Sequence, residues 1–371
     1  MKYEVHFCLV SGQATPNLAP ILAAEFRPIK VVLYASKEMK KQTENLASVL
    51  KKHQIPFEIL NAVDAYDMAL IQSQIIEYLD TNKYSSIALN VTGGTKPMAI
   101  AAQEAFRMDD KPVFYVNSET NAISFLDQNI PSLHVISKIR LPDYLESYGF
   151  DVVGDLVRTN TQTEKRRFLT TELIARISAF STAIGTLNYY ANLTERSLSC
   201  EVQMRTDDPN WDQVIYMFEK AGMLTLRDKT LTFTDEASRA YVNGGWLEEH
   251  TFSVLQDLPV QDKAINLRVM NSNGSGHAEN EMDIAFLAKN RLHLIECKAK
   301  IFKQGDNAGA DALYKLDSLT ALGGINTKAM LLCYRKLRNA DKQRAKDLKI
   351  KTLEGEQLKN LRNELSCWIG S

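Results

Sequence analysis

The 371-residue sequence has no excess of charge of either sign and few cysteines. Its 44 lysines and arginines are balanced by 45 aspartates and glutamates, which argues against a generally basic nucleic-acid coat and leaves local patches as candidate polyanion sites. The five cysteines are widely scattered and form no C-x-x-C pair, so neither a disulfide framework nor a cysteine zinc site is expected. A reducing cytosol fits these features best, and we expect a cytoplasmic protein.

The sequence also lacks a long apolar run. The amino-terminal stretch MKYEVHFCLV is interrupted by Glu4 and His6, and it is too short and too polar for a signal sequence or a membrane span. We therefore expect no membrane partner. A chain of 371 residues predicts two or three domains, since a domain usually has roughly 100 to 200 residues.

Residues 1–150 alternate short apolar runs with helical patterns. The runs are YEVHFCLV, VVLYAS, FEILNA, SSIALNV, PVFYVNS and AISFLD. Such alternation predicts a mainly parallel sheet with crossover helices. The predicted fold class is α/β, with a doubly wound, Rossmann-like first domain.

The rest of the chain divides into two further predicted domains. Residues 151–243 are helical and end in a short hairpin, MLTLRDKTLTFT, followed by a helix capped by Thr234 or Asp235, which is the outline of a winged helix. No basic recognition helix stands out there, so we expect a spacer or dimerisation role. Residues 244–371 begin with a helix, WLEEHTFSVLQDL, and continue with a hairpin that turns at 289–291.

The hairpin of the third domain carries the strongest candidate site. Asp283 lies in its first strand, and Glu296 and Lys298 lie two residues apart on its second strand, where they share one face. Carboxylate oxygens suit Mg²⁺ or Mn²⁺, which would polarise a scissile phosphate and lower the pKa of an attacking water. Lys298 would orient that water or offset developing charge. The alternative is an exposed alternation of charges, but Leu292 and Leu294 share this face, where unpaired charges would be costly.

Two further charged positions are weaker candidates. Glu248 lies on the flank of the apolar stripe of its helix, whereas Glu249 shares the outward face with Ser253 and Gln256. Glu248 is therefore the better candidate for a third catalytic carboxylate, with a surface glutamate as the alternative. Lys315 could face phosphate, although the pattern favours a solvated helix lysine.

The order of these residues resembles the restriction-endonuclease-like core, whose motif is an Asp followed by (D/E)-x-K. The resemblance covers most of residues 244–371, through a helix with Glu, then E-M-D, then a strand that ends in E-C-K. It implies that Asp283 and Glu296 bind the divalent ion, that the backbone carbonyl of Cys297 is a further ligand, and that Lys298 is the catalytic lysine. Glu281 matches the extra acid often found two residues ahead of the Asp.

Two polar loops form a second candidate site. The loop NVTGGTKP joins a strand to a helix, and the N–H groups at such a helix start suit phosphate or another anion. It is not a P-loop, because Gly93 and Gly94 adjoin and Lys96 precedes a proline; a tight turn with a solvated lysine is the alternative. A second loop, SGQATPN, follows the first strand. Because parallel strands end at the same edge of a sheet, both loops are expected to share one cleft.

This pair of loops resembles the CARF sensor domain, which binds cyclic oligoadenylates. The three-domain order resembles the CRISPR ancillary nucleases of type III systems. The resemblance implies a homodimer that encloses one ring, with cyclic tetra-adenylate as the activator, and cleavage of DNA, RNA or both with little sequence preference. It implies ligand contacts on two walls, namely Ser11, Gln13, Thr15 and Asn17 on one, and Thr92, Gly93, Gly94, Thr95 and Lys96 on the other.

Ring binding would favour a closed dimer that admits a strand, with the middle domain as the coupling element. The basic segment YRKLRNADKQRAKDLKIK, at 334–351, could track a phosphate backbone, or it could be a solvated helix. Two other functions stay open. One is a ligand-responsive transcription regulator with an inactive nuclease-like domain, and the other is an ungated repair or restriction nuclease.

Overall fold

The computed structural model describes residues 2–84, 86–127, 129–134, 136–159, 162–195, 197–203, 208–272, 279–299 and 307–370. Its first sheet has seven strands: β1 (Val5–Leu9), β2 (Lys30–Ala35), β3 (Phe57–Asn61), β4 (Ile87–Asn90), β5 (Val113–Val116), β6 (Ala122–Phe125) and β7 (Leu133–His134). The strand order is β3-β2-β1-β4-β5-β6-β7, parallel from β3 to β5 and antiparallel beyond. The mainly parallel, doubly wound sheet predicted from the sequence is confirmed.

Helices connect these strands as expected for crossovers. They are α1 (Thr15–Ile21), α2 (Lys40–Lys52), α3 (Met68–Thr81) and α4 (Lys96–Met108), and α5 (Leu141–Ser147) follows the sheet. Side-chain caps define two helix starts, because Asp67 accepts from the N–H of Leu70 and Thr95 accepts from the N–H of Met98. Pro97 lies in the first turn of α4, where its missing N–H costs nothing.

The middle segment follows strand β8 (Phe150–Val153). It contains α6 (Glu164–Ala175), α7 (Ile177–Leu193), β9 (Ser199–Glu201), α8 (Trp211–Lys220), β10 (Leu224–Arg227), β11 (Thr230–Phe233) and α9 (Glu236–Ala240). The sheet order is β10-β11-β9, so the predicted two-stranded wing is present. Gly222, at φ +78°, ends α8, and Asp235 caps α9 by accepting from the N–H of Ser238 at 2.6 Å.

The last segment supplies the other strands of a six-stranded mixed sheet. Its elements are α10 (Trp246–Gln256), β12 (Asp262–Asn271), β13 (Glu279–Ala288), β14 (Arg291–Lys298), α11 (Ala308–Thr320), β15 (Lys328–Cys333), α12 (Asn339–Asp347), β16 (Lys351–Glu354) and α13 (Leu361–Gly370). The order is β16-β15-β14-β13-β12-β8. Strand β8 therefore comes from the segment directly after the first sheet and pairs antiparallel with β12 at the edge.

The two faces of this mixed sheet pack against different parts of the chain. Ile284 and Ile295 point into a buried cluster with α6, α7, α8, α10 and α13. Leu292 and Leu294 point into another cluster with α2, α5 and α11. The sheet is thus the central layer that joins the two other parts of the chain. Among the described residues, none of the helices has the length and apolar character needed to cross a membrane.

Candidate nuclease site and candidate ligand-binding loops

The β13–β14 hairpin brings the predicted catalytic residues together. The strands turn at Lys289 and Asn290, which adopt left-handed φ values of 52° and 56°, so the predicted hairpin is confirmed. The N–H of Cys297 donates to Oδ2 of Asp283 at 2.7 Å. This hydrogen bond fixes the Asp283 carboxylate beside the strand that carries Glu296.

Two lysines hold the Glu296 carboxylate, which is 1% exposed. Lys298 Nζ lies 2.6 Å from Oε1 of Glu296, and Lys315 Nζ lies 2.7 Å from Oε2. Lys315 Nζ is also 3.9 Å from Oδ1 of Asp283. The expectation of a solvated lysine at position 315 is wrong, because α11 packs against β14 and β15 and turns this side chain into the site.

A third carboxylate, that of Glu248 in α10, lines the same cavity of about 1020 Å³ as Glu296 and Lys298. Burial, and next the charge of Asp283, raise the pKa of Glu248 to about 7. Burial, and next the charge of Glu296, raise the pKa of Asp283 to about 6. The site thus gathers carboxylates that disfavour each other's ionisation.

The helical spacing predicted that Glu249 lies on the outward face of α10, and this prediction is wrong. Its carboxylate is 12% exposed and meets the guanidinium of Arg166 from α6 at 3.2 Å. Burial raises the pKa of Glu249. The Arg166 guanidinium also lies 4.7 Å from the centre of the Tyr241 ring. The expectation failed because the partner comes from a helix about 80 residues earlier in the chain, which helical periodicity does not report.

The chemistry of the donors suits a hard divalent cation. Within the described ranges, no three His, Cys, Asp or Glu side chains are grouped so that they could hold a metal ion. The predicted set needs only two, the carboxylates of Asp283 and Glu296, together with the backbone carbonyl of Cys297. All of these donors are oxygens, which Mg²⁺ and Mn²⁺ prefer, and a cation would relieve the repulsion that raises the pKa of Asp283.

The two polar loops lie side by side at one edge of the first sheet, as predicted. Strands β1 and β4 are parallel neighbours, with Cys8 opposite Asn90. The loops touch so closely at Gly93 that a Cβ atom there would lie 2.1 Å from the carbonyl oxygen of Leu9. Gly94 has φ +74°, a backbone conformation that favours glycine. Glycines are therefore required here by close packing and by backbone conformation.

We expected Asn17 to line the cleft, but the structure buries it instead. It is 1% exposed, donates to the carbonyl of Leu9 at 2.9 Å and accepts from the Asn90 amide at 2.8 Å. The hydroxyl of Thr92 likewise donates to Oδ1 of Asn90 at 2.7 Å. These polar groups hold the two loops together because a buried amide needs partners.

The remaining loop residues divide into two sets. Thr95 caps α4 and donates to the carbonyl of Ala65 at 2.7 Å, whereas Lys96 is exposed in the first turn of the helix. Ser11 lies next to Gly93. The other expected wall residues are Gln13, which lines the same cavity as Ser11, and Thr15.

Gln13 and Thr15 contact residues outside the first sheet. Oε1 of Gln13 accepts from the N–H of Ile325 at 3.3 Å, and the hydroxyl of Thr15 lies 3.0 Å from that of Tyr148. Gln13 also lines a second cavity of about 710 Å³ with residues of α2, α11 and the turn at Gly324. The structure therefore places Gln13 between the first domain and the segment that carries the candidate nuclease site, whereas Thr15 contacts Tyr148 just after α5.

Several basic side chains of the segment at 334–351 pair with neighbouring carboxylates. Arg338 and Arg344 contact Asp341, which is fully buried, and Lys342 pairs with Glu354. The pair of Lys342 with Glu354 joins α12 to β16, whereas the contacts with Asp341 are local to α12. The sequence left two interpretations of this segment, a surface that tracks a phosphate backbone and a solvated helix. The contacts favour neither of them and indicate a structural network of ion pairs.

Known proteins match both ends of the chain. Residues 5–144 match the family described as the Card1 CARF domain, and residues 235–370 match the family described as the Card1-like endonuclease domain. A search of curated proteins found no match.

Solved structures match the whole chain. Protein VC1899 from Vibrio cholerae is 25% identical, with a TM-score of 0.88 over 99% of this chain and 98% of that chain. Can2 from Sulfobacillus thermosulfidooxidans, solved in complex with cyclic tetra-adenylate, is 26% identical, with a TM-score of 0.82 over 100% of both chains. A type III CRISPR defence DNA nuclease activated by cyclic oligoadenylate shares the fold, at 15% identity and a TM-score of 0.58 over 90% of this chain and 46% of that chain.

The fold and the site define an endonuclease joined to a CARF domain. More particularly, the chain combines a Card1-type CARF domain with a Card1-like endonuclease domain. The predicted resemblance to the CRISPR ancillary nucleases of type III systems is thereby confirmed.

Proposed function

We propose that this chain is a metal-dependent endonuclease of type III CRISPR antiviral defence, activated by a cyclic oligoadenylate, and that it cleaves DNA, RNA or both. One observation carries the proposal above all. Asp283, Glu296 and Lys298 are brought together by one hairpin, in a chain whose other end is a CARF domain. A transcription regulator with an inactive nuclease-like domain would have no need of this constellation.

In the proposed reaction, Asp283, Glu296 and the carbonyl of Cys297 would hold Mg²⁺ or Mn²⁺. The ion, when bound, neutralises charge on the scissile phosphate and lowers the pKa of the attacking water. The N–H of Cys297 keeps Asp283 oriented, and Lys298 donates toward the reacting oxygens from its position beside Glu296. Glu248 supplies a further carboxylate from α10 on the wall of the same cavity.

We infer that the loop at 92–96 contacts the ring. Lys96 offers an exposed charge at the start of α4, beside the N–H groups of the Gly93–Gly94 turn, and a phosphodiester anion suits such a helix start. The structure of Can2 with cyclic tetra-adenylate supports that ring as the activator. Ser11 lies next to Gly93 and is the proposed contact from the other loop.

A homodimer would let two copies of this loop enclose one ring. Support comes from a set of large apolar side chains that are exposed on and just before α3 and on α4: Val63, Tyr66, Met68, Leu70, Ile100 and Met108. A second copy of the chain would cover such a surface. Two-fold symmetry would then place both Lys96 side chains at one cleft.

We further propose three domains, with bounds at 1–150, 151–243 and 244–371, in which strand β8, at the first bound, pairs with β12 of the nuclease sheet. The middle domain reaches the nuclease site through the contact of Arg166 with Glu249, beside Glu248, which supports a coupling role. The CARF domain also reaches the nuclease domain directly, through Gln13 and Ile325. The proposed cytoplasmic location is supported by the free state of all five cysteines.

The test is to incubate the purified protein with Mg²⁺ or Mn²⁺ and labelled DNA and RNA, with and without cyclic tri-, tetra- and hexa-adenylate. We expect cleavage that needs both a metal and one of the rings. Full cleavage without any ring would favour the ungated nuclease. Absence of cleavage, with ring-dependent binding to specific duplexes, would favour the transcription regulator.

A further inference from the structure

The second lysine at Glu296 has no counterpart in the predicted motif. The motif accounts for Lys298, which contacts Oε1 of Glu296 at 2.6 Å from the same strand. Lys315 comes from α11 and contacts the other oxygen, Oε2, at 2.7 Å. Both oxygens of a metal-binding candidate are therefore held by ammonium groups.

The position of the Lys315 ammonium is the main observation. It lies between two carboxylates, 2.7 Å from Oε2 of Glu296 and 3.9 Å from Oδ1 of Asp283. A divalent ion held by Asp283 and Glu296 would compete with this ammonium group for the same carboxylates. A cation is needed there in any case, because two buried carboxylates repel each other.

The site is built so that the lysine can move while the carboxylate stays. The Glu296 side chain is 2% exposed, whereas that of Lys315 is 38% exposed. Leu313, Leu316 and Leu319 anchor α11 in the core, so the backbone of Lys315 is fixed. The flexible four-carbon side chain can still move the ammonium group. The cavity that Lys315 lines contains Lys298 and Glu248, where a substrate phosphate would lie.

We propose that Lys315 is a resident cation that holds Asp283 and Glu296 together in the metal-free protein, gives way to the divalent ion, and then binds the scissile phosphate. This inference rests on the proposed nuclease function. It assigns two separable effects to one side chain, competition with the metal and attraction of the substrate.

The experiment compares Lys315→Met with wild type in the full-length protein. Mn²⁺ binding is measured by calorimetry without nucleic acid or ring, and cleavage is measured at saturating Mn²⁺ with ring. We expect Mn²⁺ to bind about tenfold more tightly, since no ammonium has to be displaced, and cleavage to fall about tenfold, since a phosphate contact is lost. In EDTA the variant should melt at a lower temperature than wild type, because Asp283 and Glu296 lose their shared cation.

Lys342→Met is the matched control. Lys342 is 40% exposed and pairs with the mostly buried Glu354, but it lies away from the cavity. It should leave Mn²⁺ affinity and cleavage unchanged. Lys315→Gln replaces Lys315→Met if the latter does not fold, and it carries the same expectations.

Two results would overturn the inference. Unchanged Mn²⁺ affinity with unchanged cleavage would make Lys315 a bystander, and weaker Mn²⁺ binding would mean that Lys315 orients Glu296 for the metal and does not compete with it. In both cases a wild type that cleaves leaves the proposed function standing. A wild type that neither binds Mn²⁺ nor cleaves would instead reject the proposed function.

Discussion

The side-chain oxygen of Gln13 accepts a hydrogen bond from the N–H of Ile325 at 3.3 Å. Gln13 belongs to the first loop of the CARF domain, whereas Ile325 lies between α11 and β15 of the nuclease domain. The hydroxyl of Tyr148 approaches the same oxygen at 3.5 Å and meets Thr15 at 3.0 Å. Because α11 also carries Lys315, these contacts connect a polar loop of the sensor domain to a helix of the nuclease site.

Gly324→Ala should weaken activation. Gly324 has φ +78°, and a Cβ atom there would lie 2.6 Å from Oε1 of Gln13, so the contact with the sensor loop must open. We expect activation of cleavage by cyclic tetra-adenylate to fall severalfold while the ring still binds, with a loss of about 1 kcal/mol of folding stability from the positive φ. Cleavage and ring binding are measured on the same preparation.

Gly222→Ala is the control for that variant. Gly222 also has φ +78°, but among the described residues nothing lies within 4 Å of the added methyl group. It should lose similar stability and keep normal activation. Equal loss of activation in both variants would show that strain, and not the contact with Gln13, is responsible.

Gly93→Ala should strongly weaken ring binding. The added methyl group would lie 2.1 Å from the carbonyl oxygen of Leu9, and a backbone atom cannot give way without separating the two loops. We expect a lower melting temperature and at least a tenfold loss of ring affinity, measured by calorimetry. Gly12→Ala, where no described atom lies within 4 Å of the new methyl group, should behave as wild type. Normal ring affinity in Gly93→Ala would contradict the assigned binding loop.

Asn17→Ala should destabilise the protein even without a ligand. The substitution leaves the Asn90 amide without one of its acceptors and removes the donor to Leu9. Losing such buried hydrogen bonds costs about 1–3 kcal/mol of unfolding free energy, which urea titration measures. Asn363→Ala, at an exposed position of α13, should cost little. An unchanged unfolding free energy in Asn17→Ala would favour a direct ligand contact for Asn17.

His6 should make the protein less stable at low pH. Burial lowers the pKa of His6 from its ordinary 6.5 to about 3, and neither ring nitrogen has a hydrogen-bond partner among the described residues. Below pH 6.5 the His6 ring binds a proton in the unfolded chain but not in the folded chain. The free energy of unfolding therefore falls as pH falls, by about 1.4 kcal/mol per pH unit for one proton. The contribution of neutral His6 to stability is complete only above the pKa of His6 in the unfolded chain.

His6→Phe tests that prediction. The ring of His6 packs between Phe26 and Phe114, at 4.8 and 5.4 Å between ring centres, so a phenyl ring suits the site. The free energy of unfolding is measured with urea between pH 6.5 and 4. In this variant its dependence on pH should be smaller by the contribution of one proton. An identical pH slope in both proteins would contradict a neutral, buried His6.

Local sequence patterns predicted the elements that determine the two sites. Alternating apolar residues predicted the β13–β14 hairpin and the neighbouring ends of β1 and β4, because strand periodicity and parallel pairing depend on nearby residues. Asp283, Glu296 and Lys298 could be named for the same reason, since they lie on one hairpin.

The residues that were missed depend on contacts between distant parts of the chain. Lys315 enters the site only because α11 packs on β14 and β15, and Glu249 is covered only because α6 brings Arg166 to it. Gln13 meets Ile325 across more than 300 residues of sequence. The pairing of β8 with β12 has the same origin. A helical or strand period reports which face is apolar, but it does not report what packs against the polar face.

The most direct test of the account is one titration of nucleic-acid cleavage against cyclic tetra-adenylate, with Mn²⁺ present, for wild type, Glu296→Gln and Lys96→Ala. We predict that Glu296→Gln gives no cleavage at any ring concentration. Lys96→Ala should reach the wild-type plateau only at about tenfold or more higher ring concentration, since it loses a charge-assisted contact. Cleavage by wild type that does not depend on the ring, or unchanged cleavage by Glu296→Gln, would contradict a ring-gated nuclease with its chemistry at Glu296.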